Sequence, residues 1–215
     1  VYTKILKQLF PDVPVVLGGI EASLRRVTHY DYWQDKLRPC ILAECGADLL
    51  IYGMGELPML DLCQTIDNHI LHGREEAFCS AEQFDSLMRK YPVRQTVSLQ
   101  KRDDIPGGFQ ADDIILNSHE DCLKDKKLYA ANFRHVEEES NKLHPQRLIQ
   151  QLRNEFVVIN PPYPPMTTEQ IDHSFDLPYT RLPHPKYKGK RIPAYEMIKF
   201  SVNIHRGCFG GCAFC

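Results

Sequence analysis

The spacing of apolar residues changes several times along the chain, and each change predicts an element. In Tyr2 to Phe10 (YTKILKQLF), Ile5, Leu6 and Leu9 share one side of a helical wheel, and Pro11-Asp12 ends the run. Val13 to Leu17 (VPVVL) is a short β-branched apolar run, the pattern of a strand buried in a parallel sheet. Gly18-Gly19 follows at once, and IEASLRR opens a second helix. The same order returns further on. Ala47 to Tyr52 (ADLLIY) predicts a strand, Gly53-Met54-Gly55-Glu56 a turn, and Leu57 to Leu71 a helix that tolerates Pro58 in its first turn. Strand, glycine turn, helix, twice over, is the grammar of a doubly wound α/β domain, where ligands bind at the carboxyl edge of the strands.

Past Gly73 the pattern weakens. Val93 to Leu99 and Asp112 to Leu116 predict strands on either side of the turn-rich DDIPGGFQ loop. Ser118, with Asp121 three residues on, marks the start of a helix over His119 to Asn132. Pro145 to Asn154 reads as helical and Glu155 to Asn160 (EFVVIN) as a strand. Composition then shifts: 8 of the 15 prolines lie between Pro161 and Pro193. They predict an ordered, extended linker, broken by a short capped helix at Thr167-Thr168-Glu169-Gln170. Over Ile198 to Ile204 the alternation of Phe200, Val202 and Ile204 predicts another strand, and His205-Arg206-Gly207 turns the chain. The expected organisation is a Rossmann-like domain over 1–89, an intervening segment and Pro-rich arm over 90–194, and the opening of a further domain over 195–215.

Composition narrows the class. With 43% hydrophobic and 25% charged residues and a formal net charge of −2, the 215-residue chain is neither disordered nor a strongly basic nucleic-acid binder. No apolar run reaches the ~18 residues of a membrane span, and no signal peptide is visible. Val1 falls within a helical pattern and the final residue is a candidate ligand, so both ends are expected to be cuts in a longer protein. Cys40, Cys45, Cys63, Cys79 and Cys122 are scattered, which predicts a reducing cytoplasm and buried, structural thiols. Tyr30, Tyr32 and Trp33 are expected to pack a core, and Glu137-Glu138-Glu139 to form a solvated face. From Arg181 to Arg206 there are seven Lys or Arg against Glu196 alone; a solvated surface is the expected reading, with RNA, nucleotide phosphates or a reductase as the sharper one.

Cys208, Cys212 and Cys215 stand in a C-x3-C-x2-C array with Gly210 and Gly211 inside it. Thiolates are soft donors, and glycine lets backbone wrap closely around an inorganic centre. Three cysteines leave one iron of a four-iron cubane open, as catalytic zinc keeps an open position. From spacing alone, a 4Fe–4S cluster and a Cys3His zinc site completed by His205 stand level.

The array, with Phe214 as the aromatic before the last cysteine, resembles the cluster loop of radical S-adenosylmethionine (SAM) enzymes. VPVVLGGIEASLRR, THYDYW, ADLLIYGMGE, NPPYPPMTTEQID, DLPYTRLPHPKY and RIPAYEMIKFSVNIHRGCFGGCAFC together resemble the YgiQ family of radical SAM proteins. The resemblance implies that Cys208, Cys212 and Cys215 hold a 4Fe–4S cluster, that Phe214 lies near the adenine of SAM, and that the strand at 198–204 begins a truncated (β/α) barrel. It implies reductive cleavage of SAM to a 5′-deoxyadenosyl radical, an electron donor such as flavodoxin or ferredoxin, and a substrate it does not specify. The 215 residues by themselves are then expected to be inactive. Gly18, Gly19, Gly53 and Gly55 become candidate cofactor contacts, because the layout resembles the cobalamin-binding-like domain that precedes such barrels. No Asp-x-His motif for cobalt is visible, so a domain that has lost cobalamin is the expectation and cobalamin binding the lesser reading.

Overall fold

The computed structural model describes residues 1–72 and 79–202. In chain order the elements are α1 (Tyr2–Leu9), β1 (Val16–Leu17), α2 (Ile20–Leu24), β2 (His29–Asp31), β3 (Lys36–Arg38), α3 (Ile41–Cys45), β4 (Leu49–Ile51), α4 (Glu56–Ile66) and α5 (Ala81–Lys90). There follow β5 (Thr96–Lys101), β6 (Ile114–Leu116), α6 (His119–Lys124), α7 (Lys126–Ser140), β7 (Leu148–Leu152), β8 (Glu155–Ile159), α8 (Thr168–Asp176) and α9 (Pro193–Ile198). The chain divides into two units, one over Val1–Pro165 and one beginning at Met166.

Six strands form one sheet in the first unit, in the order β1-β4-β5-β8-β7-β6. The β1–β4 and β6–β7 pairs are parallel, and the other three neighbouring pairs are antiparallel. The sheet is therefore mixed α/β: each margin, β1–β4 and β6–β7, is a parallel pair joined through helices, as expected of a doubly wound domain, and the strands between them pair antiparallel. Side chains alternate across a strand, and Leu49, Leu50 and Ile51 are all buried because helices cover both faces. Leu50 joins Val97, Val157 and Ile159 against Leu42 of α3 and Val136 of α7. Leu49 and Ile51 turn the other way, onto Leu62 of α4 and Phe84, Leu87 and Met88 of α5. Each such side chain contributes roughly 1.5–3 kcal/mol of burial.

The boundary expected after residue 89 falls inside this sheet. β5 to β8, all beyond it, pair in register with β4 or with one another, so the sheet cannot close without them. The segment at 145–154 is a strand where a helix is expected. Leu148 and Ile149 are buried on opposite faces between β6 and β8, and Arg153 takes a left-handed φ of 54° to close the β7–β8 hairpin. The helix expected over 119–132 is two helices. Asp125 breaks it with extended backbone and caps α7 by accepting from Lys127 N–H at 2.8 Å. The signals at Ser118 and Thr167 hold: each side chain accepts from the backbone N–H three residues on.

The aromatic stretch at 28–36 forms the β2–β3 hairpin and does not pack a core: Trp33 is 80% exposed and Tyr32 66%. α1 buries Thr3, while Ile5, Leu6 and Leu9 stay exposed. Glu139 departs from the solvated face of its neighbours; it is buried, accepts from Gln146 N–H at 2.8 Å and pairs with Lys142. In the second unit the proline-rich stretch is not simply extended. It contains α8, a 3-10 turn at Pro185–Tyr187 and α9. The boundary expected after residue 194 lies within α9, and Ile198 ends that helix where a strand is expected. Pro193 presets φ in its first turn, and Lys199 pairs with Glu196 at 2.7 Å. The remainder of that expected strand, from Asn203, lies outside the described residues.

Candidate functional site

β1, β4 and β8 run one way, and β5, β6 and β7 the other. The carboxyl ends of β1, β4 and β8 therefore share an edge with the start of β5. Because β1 and β4 are neighbours, the two glycine turns predicted from sequence come together there. Gly53 N–H donates to Ser23 Oγ at 3.1 Å, and Ser23 Oγ donates to Gly19 carbonyl at 2.8 Å, so one hydroxyl joins the turns. Gly19 (φ 92°) and Gly53 (φ 69°) need glycine for their backbone. Gly18 and Gly55 carry no such requirement; the nearest atom to a Cβ built on Gly18 is Ile51 O at 3.9 Å, and none lies within 4 Å of one on Gly55.

Glu21 lies in the first turn of α2 and Glu56 in that of α4. Carboxylates at these positions complement the positive ends of the helix dipoles. With Gly53 N–H already engaged, these turns do not resemble a phosphate cradle of free amides. Gln95, just before β5, closes the β4 turn from below. Its Nε2 donates to the carbonyls of Tyr52 (2.7 Å) and Met54 (2.5 Å), and its backbone holds φ 59°. The chain leaving β8 is fixed at the same edge. Tyr52 Oη donates to Asn160 carbonyl at 2.6 Å, and Gln95 N–H to Pro161 carbonyl at 2.9 Å. Arg94 Nη2 donates to Pro162 carbonyl at 2.6 Å, and Tyr163 Oη donates to Asp61. Burial raises the pKa of both Tyr52 and Tyr163, the latter helped by the Asp61 carboxylate, so both remain donors.

Arg26 packs its guanidinium 4.9 Å from the centre of the Tyr52 ring. Neither it nor Gln95 is prominent in the sequence. The Arg25-Arg26 pair at the end of the predicted IEASLRR helix is the one sign of the first, and nothing in the local pattern marks the second.

Cys208, Cys212, Cys215, Phe214 and His205 lie outside the described residues. Among the described residues no group of three or more His, Cys, Asp or Glu could hold a metal ion. The five scattered cysteines are unpaired, and Cys40 and Cys122 are buried. Burial pushes the Cys40 thiol up to about 12, which keeps it a protonated, apolar group. Cys63 is exposed, so not every scattered cysteine is a core residue. No described helix is long and apolar enough to cross a membrane.

A family model described as Radical SAM N-terminal matches residues 1–201. A UPF0313 protein of Bacteroides thetaiotaomicron is 60% identical over the whole chain, which covers 34% of that relative. A UPF0313 protein of Porphyromonas gingivalis is 58% identical, again over the whole chain and 31% of the relative. The UPF0313 protein YgiQ of Escherichia coli K12 is 38% identical, with the whole chain and 34% of the relative covered. The chain thus spans about a third of the length of the curated relatives it matches. No solved structure matches it. On the match over residues 1–201, with these relatives aligned along its full length, the chain belongs to the Radical SAM N-terminal family and is of the UPF0313 (YgiQ) kind.

Proposed function

We propose that the full-length protein is a radical SAM enzyme in which Cys208, Cys212 and Cys215 hold a 4Fe–4S cluster. The observation that carries this reading is the three-thiolate array within eight residues of a chain belonging to the Radical SAM N-terminal family. The donor set suits the group: three soft thiolates with two glycines among them leave one iron for SAM. When bound, the cluster supplies the electron that cleaves SAM to methionine and a 5′-deoxyadenosyl radical. Phe214 would lie near the adenine. Residues 1–165 would act as a supporting domain without cobalamin, a reading favoured by Glu21 and Glu56 at the helix starts and by the engaged Gly53 amide. The unpaired cysteines suit a reducing cytoplasm, where a flavodoxin or ferredoxin would supply electrons.

The test is anaerobic reconstitution of the full-length protein. The expected result is about four iron and four sulfide per chain, with 5′-deoxyadenosine released from SAM under dithionite. Cys208→Ala, Cys212→Ala and Cys215→Ala should each abolish that release. Stoichiometric zinc without visible absorbance would overturn the proposal in favour of a Cys3His site with His205.

A further inference from the structure

Among the described residues, Arg26 differs from the other arginines packed into the first unit. Arg38 pairs with Glu44, Arg89 with Asp85 and Asp104, and Arg147 with Asp113. Arg26 has no carboxylate of a described residue within ion-pair distance. Among the described residues its one side-chain hydrogen bond runs from Nη1 to Ser23 carbonyl at 2.7 Å, and its buried Nε has no partner there. Nη2 has no acceptor among the described residues and is not among the enclosed, unsatisfied atoms, which leaves it available. Burial makes carrying the charge costly, and the Tyr52 ring and the more distant Glu137 offset only part of that cost.

Its location adds a second, independent argument. Arg26 stacks on Tyr52, the residue immediately after β4, and is pinned to Ser23, the residue that joins the Gly19 and Gly53 turns. That is the carboxyl edge of the parallel pair, where open α/β sheets bind ligands. A partly buried guanidinium fixed at one end with an open Nη2 is a preorganised donor for an oxyanion. We propose that Arg26 is an anion-recognition residue that binds a carboxylate or phosphate group of a small-molecule ligand at this edge. This site is independent of the cluster, so it stands or falls apart from the radical SAM reading.

The experiment titrates the whole protein with inorganic phosphate and, separately, with malonate, at constant ionic strength. The melting temperature and the ¹⁵Nε–H signal of Arg26 are both followed. A saturable rise in melting temperature with either anion, accompanied by movement of the Arg26 signal, is expected; which anion works identifies the group. Arg26→Gln should weaken the apparent affinity about tenfold or more, Arg26→Lys should retain part of it, and Glu137→Gln should leave it equal or stronger. No saturable response to either anion would overturn the proposal, as would an equal response in Arg26→Gln. It also fails if Glu137→Gln destabilises the anion-free protein as much as Arg26→Gln does, since Glu137 would then be the partner. Should Arg26→Gln not fold, the wild-type and Glu137→Gln titrations still decide.

Discussion

Replacing Gln95 by Leu tests how the candidate edge is held. Leucine has similar volume but cannot bond, so packing is nearly kept while three hydrogen bonds go. Nε2 no longer donates to the Tyr52 and Met54 carbonyls, and Oε1 no longer accepts from Tyr163 N–H at 3.2 Å. A buried polar group left unsatisfied costs about 1–3 kcal/mol. The Gln95–Tyr52 bond is buried and the other two are partly buried. Counting the first in full and the others at half, the loss is about 4 kcal/mol, or about 8–16 °C in melting temperature for a chain of this size. Urea unfolding followed by circular dichroism gives the stability and m, and hydrogen exchange at Gly55 and Tyr163 reports the turn and the exit of β8. The expected outcome is a lower midpoint at unchanged m, with faster exchange at both amides. A loss under about 1 kcal/mol with exchange unchanged would refute the view that this side chain holds the β4 turn.

Three further outcomes follow from other parts of the first unit. Gly53→Ala should cost about 1–2 kcal/mol, since φ is 69° and a Cβ would sit 3.3 Å from Gln95 Nε2; Gly55→Ala should be close to neutral, and thermal melts compare the two. Arg147 donates to both Asp113 carboxylate oxygens (2.8 and 2.7 Å) and to the Pro106 and Gly108 carbonyls (both 2.6 Å). Arg147→Met should therefore cost about 3–5 kcal/mol by stranding a buried carboxylate, and adding Asp113→Leu should return part of it in a double-mutant cycle. Burial lowers the pKa of His29, outweighing the Val27 carbonyl, with Arg25, Glu44 and Asp31 nearby. It also lowers that of His119, with Glu120, Arg153 and Glu44 nearby. Both bind protons more readily unfolded. Their contribution is complete above the unfolded value of about 6.5 and is lost as pH falls through the lower folded values. Melts between pH 5 and 7 should show this slope, and His29→Asn should flatten it.

The elements legible in the sequence are those whose signal is local. Ser118 and Thr167 start helices because a side-chain oxygen reaches an N–H three residues on, and that geometry needs nothing from the rest of the fold. The β1 and β4 turns are legible because Gly19 and Gly53 hold positive φ. What the sequence hides is pairing at long range. Leu148-Ile149-Gln150-Gln151-Leu152 has a helix-compatible spacing, and β6 and β8 on either side make it a strand. The same pairing carries the domain past residue 89. At the site, Gly19 and Gly53 could be named from their neighbours in sequence, whereas Gln95 and Arg26 acquire their roles from strands and turns that only the sheet order brings close.

The bonds at the carboxyl edge also show what most of its polar groups do. Proline has no N–H, so Pro161 and Pro162 can be tethered to the sheet only through their carbonyls, and the edge must provide the donors. Gln95 N–H and the Arg94 guanidinium do so, between Tyr52 Oη on Asn160 and the Tyr163 hydroxyl on Asp61. Four successive residues are thus each held at the point where the chain leaves β8. Tyr52, Arg94 and Gln95 are committed to fixing the direction of departure, and Ser23 to joining the turns. A ligand at this edge could recruit the Tyr52 hydroxyl or the Gln95 Nε2 only by breaking a bond that holds the chain. Arg26, with Nη2 unassigned, could bind an anion without breaking one, which makes it the place to look for recognition and the others the place to look for stability.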